Sequence, residues 1–336
     1  MNVFRPHITN LVAYSSARDE FAGEATVFLD ANENNWSSSG FHRYPGEEYA
    51  ALKNKIAGFF GCDASSVFLG NGSDEIIDLI IRASCEPGKD KIVTCSPSYG
   101  MYGVAAKIND VEVYDVPFQN DYWDMEALQS MTNPRFKVLF ICSPNNPTGA
   151  VMKREDLVKI VQSFPGTVVV DEAYIEFSAA ESALELVKEF DNVIVTRTFS
   201  KAFGMAGLRL GWCVAGRNWK KVLDLIRPPY NVNVATAQEV LALDFQAVIS
   251  QIATINNERE RIIAFLQEQG QVIKVWPTES NFVLFEVGNA KRLYQELVDQ
   301  GIIVRDRSSQ IPNTLRVSVG TREENDQFMD VLREKL

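Results

Sequence analysis

Short apolar runs, each closed by a polar or Gly/Pro cluster, organise the chain from about residue 67 to 215. Lys91–Cys95, Val111–Tyr114, Lys137–Cys142, Thr167–Val170 and Asn192–Val195 read as strands, with helical patterns between them. Several of these runs are apolar at successive positions rather than at every second one. That is the pattern of strands buried on both faces of a mainly parallel sheet. The clusters that follow, Ser96-Pro97-Ser98, Ser143-Pro144-Asn145-Asn146-Pro147 and Asp171-Glu172, then fall at strand carboxyl ends. In open α/β sheets that edge carries the ligand crevice.

The pattern changes after Arg227-Pro228-Pro229-Tyr230. One long helical stretch, Ala235 to Gln269, is expected to lead into shorter strands at Asn281–Glu286, Ile302–Arg305 and Leu315–Val319, interleaved with two helices. This reads as an α+β module. The expected division is a large α/β domain over residues 28–234 and a smaller domain formed by 1–27 and 235–336, with an N-terminal arm. Neither internal repeats nor a flexible linker separates the two parts.

Composition narrows the function classes. A 336-residue chain with 46% hydrophobic and 23% charged residues is that of a globular protein with ample core. Its net charge of -11 argues against nucleic acid as a partner. The five cysteines are scattered, with no Cys-x-x-Cys pair, so neither a disulfide framework nor a zinc site is expected. No signal peptide or membrane-spanning run is visible, and a reducing cytoplasm is the expected location. With only His7 and His42, both early in the chain, a serine–histidine triad or a histidine metal centre is not expected.

The chemistry concentrates elsewhere. Lys201 follows an apolar run within Thr196-Arg197-Thr198-Phe199-Ser200-Lys201, and Arg209 lies eight positions on. A lysine that forms an imine must reach a fixed carbonyl and lose its proton readily, and nearby cations or a dry pocket achieve this. Hydroxyls and an arginine beside it suit a phosphate. Together they point to a Schiff base with a phosphorylated aldehyde, pyridoxal phosphate. Asp171, at the end of a buried run, must be paired or solvated. It is either the partner of a pyridinium N–H or the N-cap of a following helix, and Tyr174 three residues on could bond the ring hydroxyl. Gly70-Asn71-Gly72-Ser73-Asp74 opens a helix that either presents free N–H groups to an anion or is simply capped by Ser73 or Asp74. The prolines and glycine of Ser143–Gly149 make a rigid loop able to aim an asparagine amide, and Tyr99 could stack on a planar ligand or sit in the core.

In this order the motifs resemble the fold type I pyridoxal-phosphate aminotransferases: the glycine turn, the tyrosine, Asn-Pro-Thr-Gly, Asp-x-x-Tyr, Ser-Lys-x-x-Gly with its later arginine, and Arg316. The match spans nearly the whole chain and implies a mainly parallel, mixed sheet between helices plus a smaller α+β domain. It implies that Lys201 carries the cofactor and moves protons, that Asp171 pairs with the pyridine nitrogen, and that Asn146 and Tyr174 hold the phenolic oxygen. Tyr99 would stack on the ring, and Gly72, Ser73, Asp74, Thr198, Ser200 and Arg209 would hold the phosphate.

Within that superfamily, Leu11–Arg18, Leu29–Asn34, Arg43-Tyr44-Pro45 and Gly301–Asp306 are similar to segments of the histidinol-phosphate aminotransferase family. The similarity implies that L-histidinol phosphate and 2-oxoglutarate exchange an amino group, giving imidazole acetol phosphate and L-glutamate in histidine biosynthesis. It also implies that Tyr14, Arg305 and Arg316 contact the substrate phosphate and that Asn32 lines the site. Tyr44 would reach the cofactor phosphate of a neighbouring subunit in a homodimer with shared sites. The bland reading of Arg305 is an exposed strand-end residue paired with Asp306 or Glu324. One departure is the loop Asn35-Trp36-Ser37-Ser38-Ser39, where the family usually has proline soon after Asn-Glu-Asn. Rival readings are a threonine-phosphate decarboxylase, an aromatic amino-acid aminotransferase and a non-catalytic pyridoxal-binding regulator. The last is disfavoured because the chain leaves no room for a DNA-binding domain.

Overall fold

The structure, a computed structural model, describes residues 3–12, 14, 23 and 25–336. Seven strands form the first sheet: β1 (Val67–Asn71), β2 (Lys91–Ser96), β3 (Glu112–Pro117), β4 (Phe136–Cys142), β5 (Thr167–Asp171), β6 (Val193–Thr198) and β7 (Leu210–Ala215). Their order is β1-β7-β6-β5-β4-β2-β3. Strands β2 to β6 are parallel, while β7 runs antiparallel to both its neighbours, β6 and β1.

The missing alternation in the sequence has its explanation here. Strands β5, β6 and β7 are buried at every position. Side chains still alternate between faces: Val168, Val170 and Val195 enter one core, and Val169 and Ile194 enter the other. Both faces are covered, so both sets are apolar.

Strands β1 and β7 escape the sequence pattern. The first is only five residues long and runs straight into the helix Gly72–Ser84. The second follows directly on the loop that holds Lys201, so its apolar start reads as the end of that loop. Its reversed direction matters for the site. The chain leaves β6 at Thr198 and re-enters the sheet at Leu210, which puts Lys201 and Arg209 on one loop at the carboxyl end of the parallel strands. Gly211 of β7 then touches the helix start so closely that a Cβ there would lie 2.3 Å from the Ser73 N–H nitrogen.

A second, four-stranded antiparallel sheet has the order β10-β11-β9-β8. Its strands are β8 (Val272–Val275), β9 (Phe282–Val287), β10 (Arg305–Asp306) and β11 (Thr314–Ser318). One face packs with Ile262, Phe265, Leu297, Phe328 and Leu332 from three helices. The expected strand at 302–305 shrinks to the two residues of β10, because only Arg305 and Asp306 pair with β11. The expected single helix from Ala235 to Gln269 is three helices, Val234–Ala242, Phe245–Ser250 and Ile252–Glu268. The cause of the first break is Asp244, whose carboxylate accepts from the Gln246 and Ala247 N–H groups. An N-cap of this kind starts a new helix without disturbing the apolar pattern.

The second sheet is held over the ends of β4 and β5. Arg259 donates to the carbonyls of Phe177 and Ser280 at 3.4 and 3.1 Å, and the Glu279 N–H donates to the Gly149 carbonyl at 3.1 Å. Among the described residues no helix is long and apolar enough to cross a membrane.

The contact between β7 and the helix start generates a test. Gly211→Ala forces a methyl group against backbone that cannot yield, and overpacking of this kind costs ~1–3 kcal/mol. Urea unfolding should show a loss of that size, accompanied by weakened anion binding at the Gly72–Ser84 helix start. Unchanged stability and unchanged binding would mean that β7 can shift freely.

Candidate active site

The helix Gly72–Ser84 begins with Asn71 as N-cap residue but without a side-chain cap. This differs from capping by Ser73 or Asp74; its first-turn N–H groups are left for another acceptor, and the helix dipole favours an anion. Gly72 has φ +75°, and Arg209 approaches so closely that a Cβ would lie 2.6 Å from its Nη2. A side chain at position 72 would evict the guanidinium. Arg209 is aimed by Asp74 Oδ2 at 3.2 Å and by Ser200 Oγ at 3.3 Å, and the Thr198 hydroxyl accepts from the Ser200 N–H at 3.1 Å. Gly72, Ser73, Asp74, Thr198, Ser200 and Arg209 are thus brought together as one cluster at the helix start.

Next to it Asp171 ends β5, almost fully buried. It accepts from the Tyr102 hydroxyl at 2.7 Å and from the Ala173 N–H at 3.2 Å. Among the described residues no cation forms an ion pair with it. Burial pushes its carboxyl up to about 6, against those two hydrogen bonds, which favour the ionised form. The Ala173 contact is a local turn and the short helix Ile175–Phe177 starts later, so N-capping does not account for this carboxylate. Tyr99 donates to Asp74 at 3.0 Å, and its ring meets Tyr102 edge-on with centroids 5.5 Å apart.

Lys201 Nζ stands 5.6 Å from the centre of the Tyr174 ring. Its pKa is lowered by burial first, then by the charges of Arg316 and Arg209, with Asp171 and Asp74 opposing. Asn146 donates to the Tyr174 hydroxyl at 3.1 Å and accepts from Arg316 at 2.5 Å. This chain of contacts ties the Asn-Pro-Thr-Gly loop to the second sheet.

On that sheet, Arg305 is exposed at the strand end, as its bland reading expects, and lies directly opposite Arg316. Glu324 is used instead in the capping box of the last helix, and Asp306 accepts from the Ser308 N–H, so neither forms the expected alternative pair with Arg305. Tyr14, Asn32 and Tyr44 are not joined to the Lys201 group by hydrogen bonds among the described residues. Asn32 is exposed at φ 54°. Tyr14 and Tyr44 line a separate cavity of about 650 Å³ with Tyr49, Arg227 and Tyr230, where the Tyr44 and Tyr230 rings stack at 4.5 Å.

Two residues of the site went unmarked in the sequence reading. Tyr102, which holds Asp171, lies in the first turn of the helix Met101–Ile108, just after Tyr99, whose ring it meets edge-on. Arg307 alternates with Arg305, and an Arg-x-Arg step in a strand places both guanidiniums on one face. Its Nε, like that of Arg316, is buried without a partner.

Comparison with known proteins bears on this geometry. Residues 9–332 match the aminotransferase class I and II family. The histidinol-phosphate aminotransferase of Parabacteroides distasonis is 46% identical over 337 residues, covering 99% of this chain and 97% of that protein. Among solved structures, the histidinol-phosphate aminotransferase from Clostridium acetobutylicum superposes with a TM-score of 0.80 at 25% identity, covering 88% of this chain and 91% of that one. The enzyme of the same name from Sinorhizobium meliloti, in complex with pyridoxal-5'-phosphate, gives 0.77 at 26% identity over 90% and 86% of the two chains.

Asp171 provides a pH test on protein freed of small ligands. Its folded pKa of about 6 lies above the unfolded value of about 4, so the folded chain holds the proton more tightly. The stability it contributes is fully present below about pH 4 and is lost as pH rises through about 6. Asp171→Asn cannot ionise and escapes that loss. Urea unfolding should show the variant gaining ~1–3 kcal/mol on the parent between about pH 4 and 7. Parallel curves would place Asp171 in solvent-like surroundings.

Proposed function

We propose that this chain, which belongs to the aminotransferase class I and II family, is a pyridoxal-phosphate-dependent histidinol-phosphate aminotransferase. It exchanges the amino group of L-histidinol phosphate with 2-oxoglutarate, and in histidine biosynthesis glutamate is the donor. The observation that carries this reading is the meeting of Lys201, a base of lowered pKa, with the uncompensated carboxylate of Asp171 on one side and the Arg305–Arg316 pair on the other.

The residues fit the cofactor. The uncapped helix start, Ser200 and Arg209 suit its phosphate, with Ser73, Asp74 and Thr198 completing the pocket, and Asn146 and Tyr174 suit its phenolic oxygen. Asp171 is a buried carboxylate lacking the cation that a pyridinium nitrogen would supply. Bound there, pyridoxal phosphate supplies an aldehyde for Lys201 and an electron-withdrawing ring for the reacting amine.

The chain's own groups then divide the work. Asp171 would hold a proton on the ring nitrogen. Lys201 Nζ would move a proton between the substrate Cα and C4′ of the cofactor, a task its lowered pKa favours. Tyr99 would cover the ring, Arg316 and Arg305 would hold the substrate phosphate and Asn32 would line the site, while Tyr14, in the separate cavity with Tyr44, would reach that phosphate only from a second copy. Free cysteines, four of them buried, fit a reducing cytoplasm.

A homodimer completes the reading. Large apolar side chains between residues 11 and 44 stand exposed, among them Val12, Leu29 and Trp36 at 92, 81 and 98%. Large apolar side chains left exposed together among the described residues mark a contact with another protein surface. A second copy covering it would carry Tyr44 to the partner's cofactor phosphate.

The substrate test is spectral. Bound cofactor should convert to its amine form with histidinol phosphate far faster than with phenylalanine, and threonine phosphate should release no carbon dioxide. Phenylalanine leading would make the chain an aromatic aminotransferase, and carbon dioxide from threonine phosphate would make it a decarboxylase. The dimer test mixes two inactive proteins, Lys201→Ala and Tyr44→Ala. In each hybrid dimer one site keeps both residues, so activity should return; silent hybrids, verified by differential tags, would show that each site is built from one chain.

A further inference from the structure

Arg305 and Arg316 sit directly opposite each other across β10 and β11, and the Arg307 N–H donates to the Thr314 carbonyl at 2.9 Å, which extends the same register. Side chains two residues apart share a face of a strand. Three guanidiniums therefore share the face turned towards Asn146 and Tyr174. Like charges directly across a sheet repel, and no carboxylate pairs with any of the three among the described residues. The side-chain partners of Arg307 and Arg316 are amides, Gln310 and Asn146.

The Nε atoms of Arg307 and Arg316 are both buried without an acceptor, and a buried donor left unmet is costly. Arg307 is also fixed in aim. Gln310 accepts from its Nη2 and donates in turn to the Ser98 carbonyl at 2.9 Å, the residue before Tyr99. The Arg307 pKa is lowered by burial and then by the charges of Arg316 and Arg305, with Tyr174 opposing, which places all four groups within electrostatic reach.

We propose that Arg307 binds substrate, completing with Arg305 and Arg316 a cradle for the dianionic phosphate of a phosphomonoester amine and setting the preference for phosphorylated over unphosphorylated substrate. A single carboxylate needs one arginine fork; three guanidiniums with two open Nε donors match a group with three terminal oxygens and two charges. The proposal rests on the aminotransferase reading for the identity of the amine only.

The experiment uses the holoenzyme. Arg307→Gln should raise the concentration of histidinol phosphate needed for half-maximal cofactor conversion by about ten- to a hundredfold, the range of one charged contact. Histidinol should be affected much less, and Arg307→Lys should recover part of the loss. Calorimetry with inorganic phosphate should show the same weakening in Arg307→Gln. Equal losses for histidinol phosphate and histidinol, or phosphate binding that ignores position 307, would overturn the proposal. If the parent enzyme fails to convert histidinol phosphate at all, the substrate reading falls, and the phosphate titration still decides the role of Arg307.

Discussion

One buried carboxylate sets the terms for the first sheet. Asp171 sits at the end of a strand buried on both faces, with a hydroxyl and one N–H for company. Burial without a countercharge costs several kcal/mol, and the rise of its pKa to about 6 is the sign of that cost. The strands that flank it, β4 and β6, are buried at nearly every position, which keeps this carboxylate from solvent. A cation brought by a ligand relieves the cost. That is a way of storing affinity for one charged atom at one place.

Its neighbour shows the contrast. Glu172 is as deeply buried, yet it accepts from Arg197 Nε and Nη2 at 3.0 and 2.8 Å and from Ser182 at 2.7 Å. Arg197 also reaches Glu176 at 3.4 Å and lies against the rings of Phe60 and Trp212. Consecutive residues at a strand end face opposite ways, so one acidic pair yields a satisfied ion cluster on one side and an unsatisfied carboxylate on the other. Only the unsatisfied one is available for chemistry.

The second sheet mirrors this with the opposite sign. A chain of net charge -11 repels anions at long range, so an anionic substrate must be drawn by local charge. In the proposed reading Arg305, Arg307 and Arg316 would supply it from a face that, among the described residues, has no carboxylate partner. Between the two sheets, Lys201 feels both the arginines, which lower its pKa, and Asp171, which raises it. Lys201 is thus set between negative charge at the first sheet and positive charge at the second.

Much of this was legible in the chain itself. The apolar runs located β2, β4, β5 and β6, and with them the edge where Asn146, Asp171 and Lys201 gather, because a strand's burial is written in its own side chains. Lys201 and Arg209 were visible because a short loop must hold both. Tertiary structure alone decided the rest. The reversed strand β7, the break at Asp244 and the two-residue β10 depend on which backbone pairs with which, and the apolar pattern does not encode pairing. The role of Tyr102 and the shared face of Arg305, Arg307 and Arg316 arise from residues distant in sequence meeting across strands and helices. Charge compensation is a property of neighbours in space, so whether Asp171 or Glu172 was the open carboxylate could be settled only once the chain had folded.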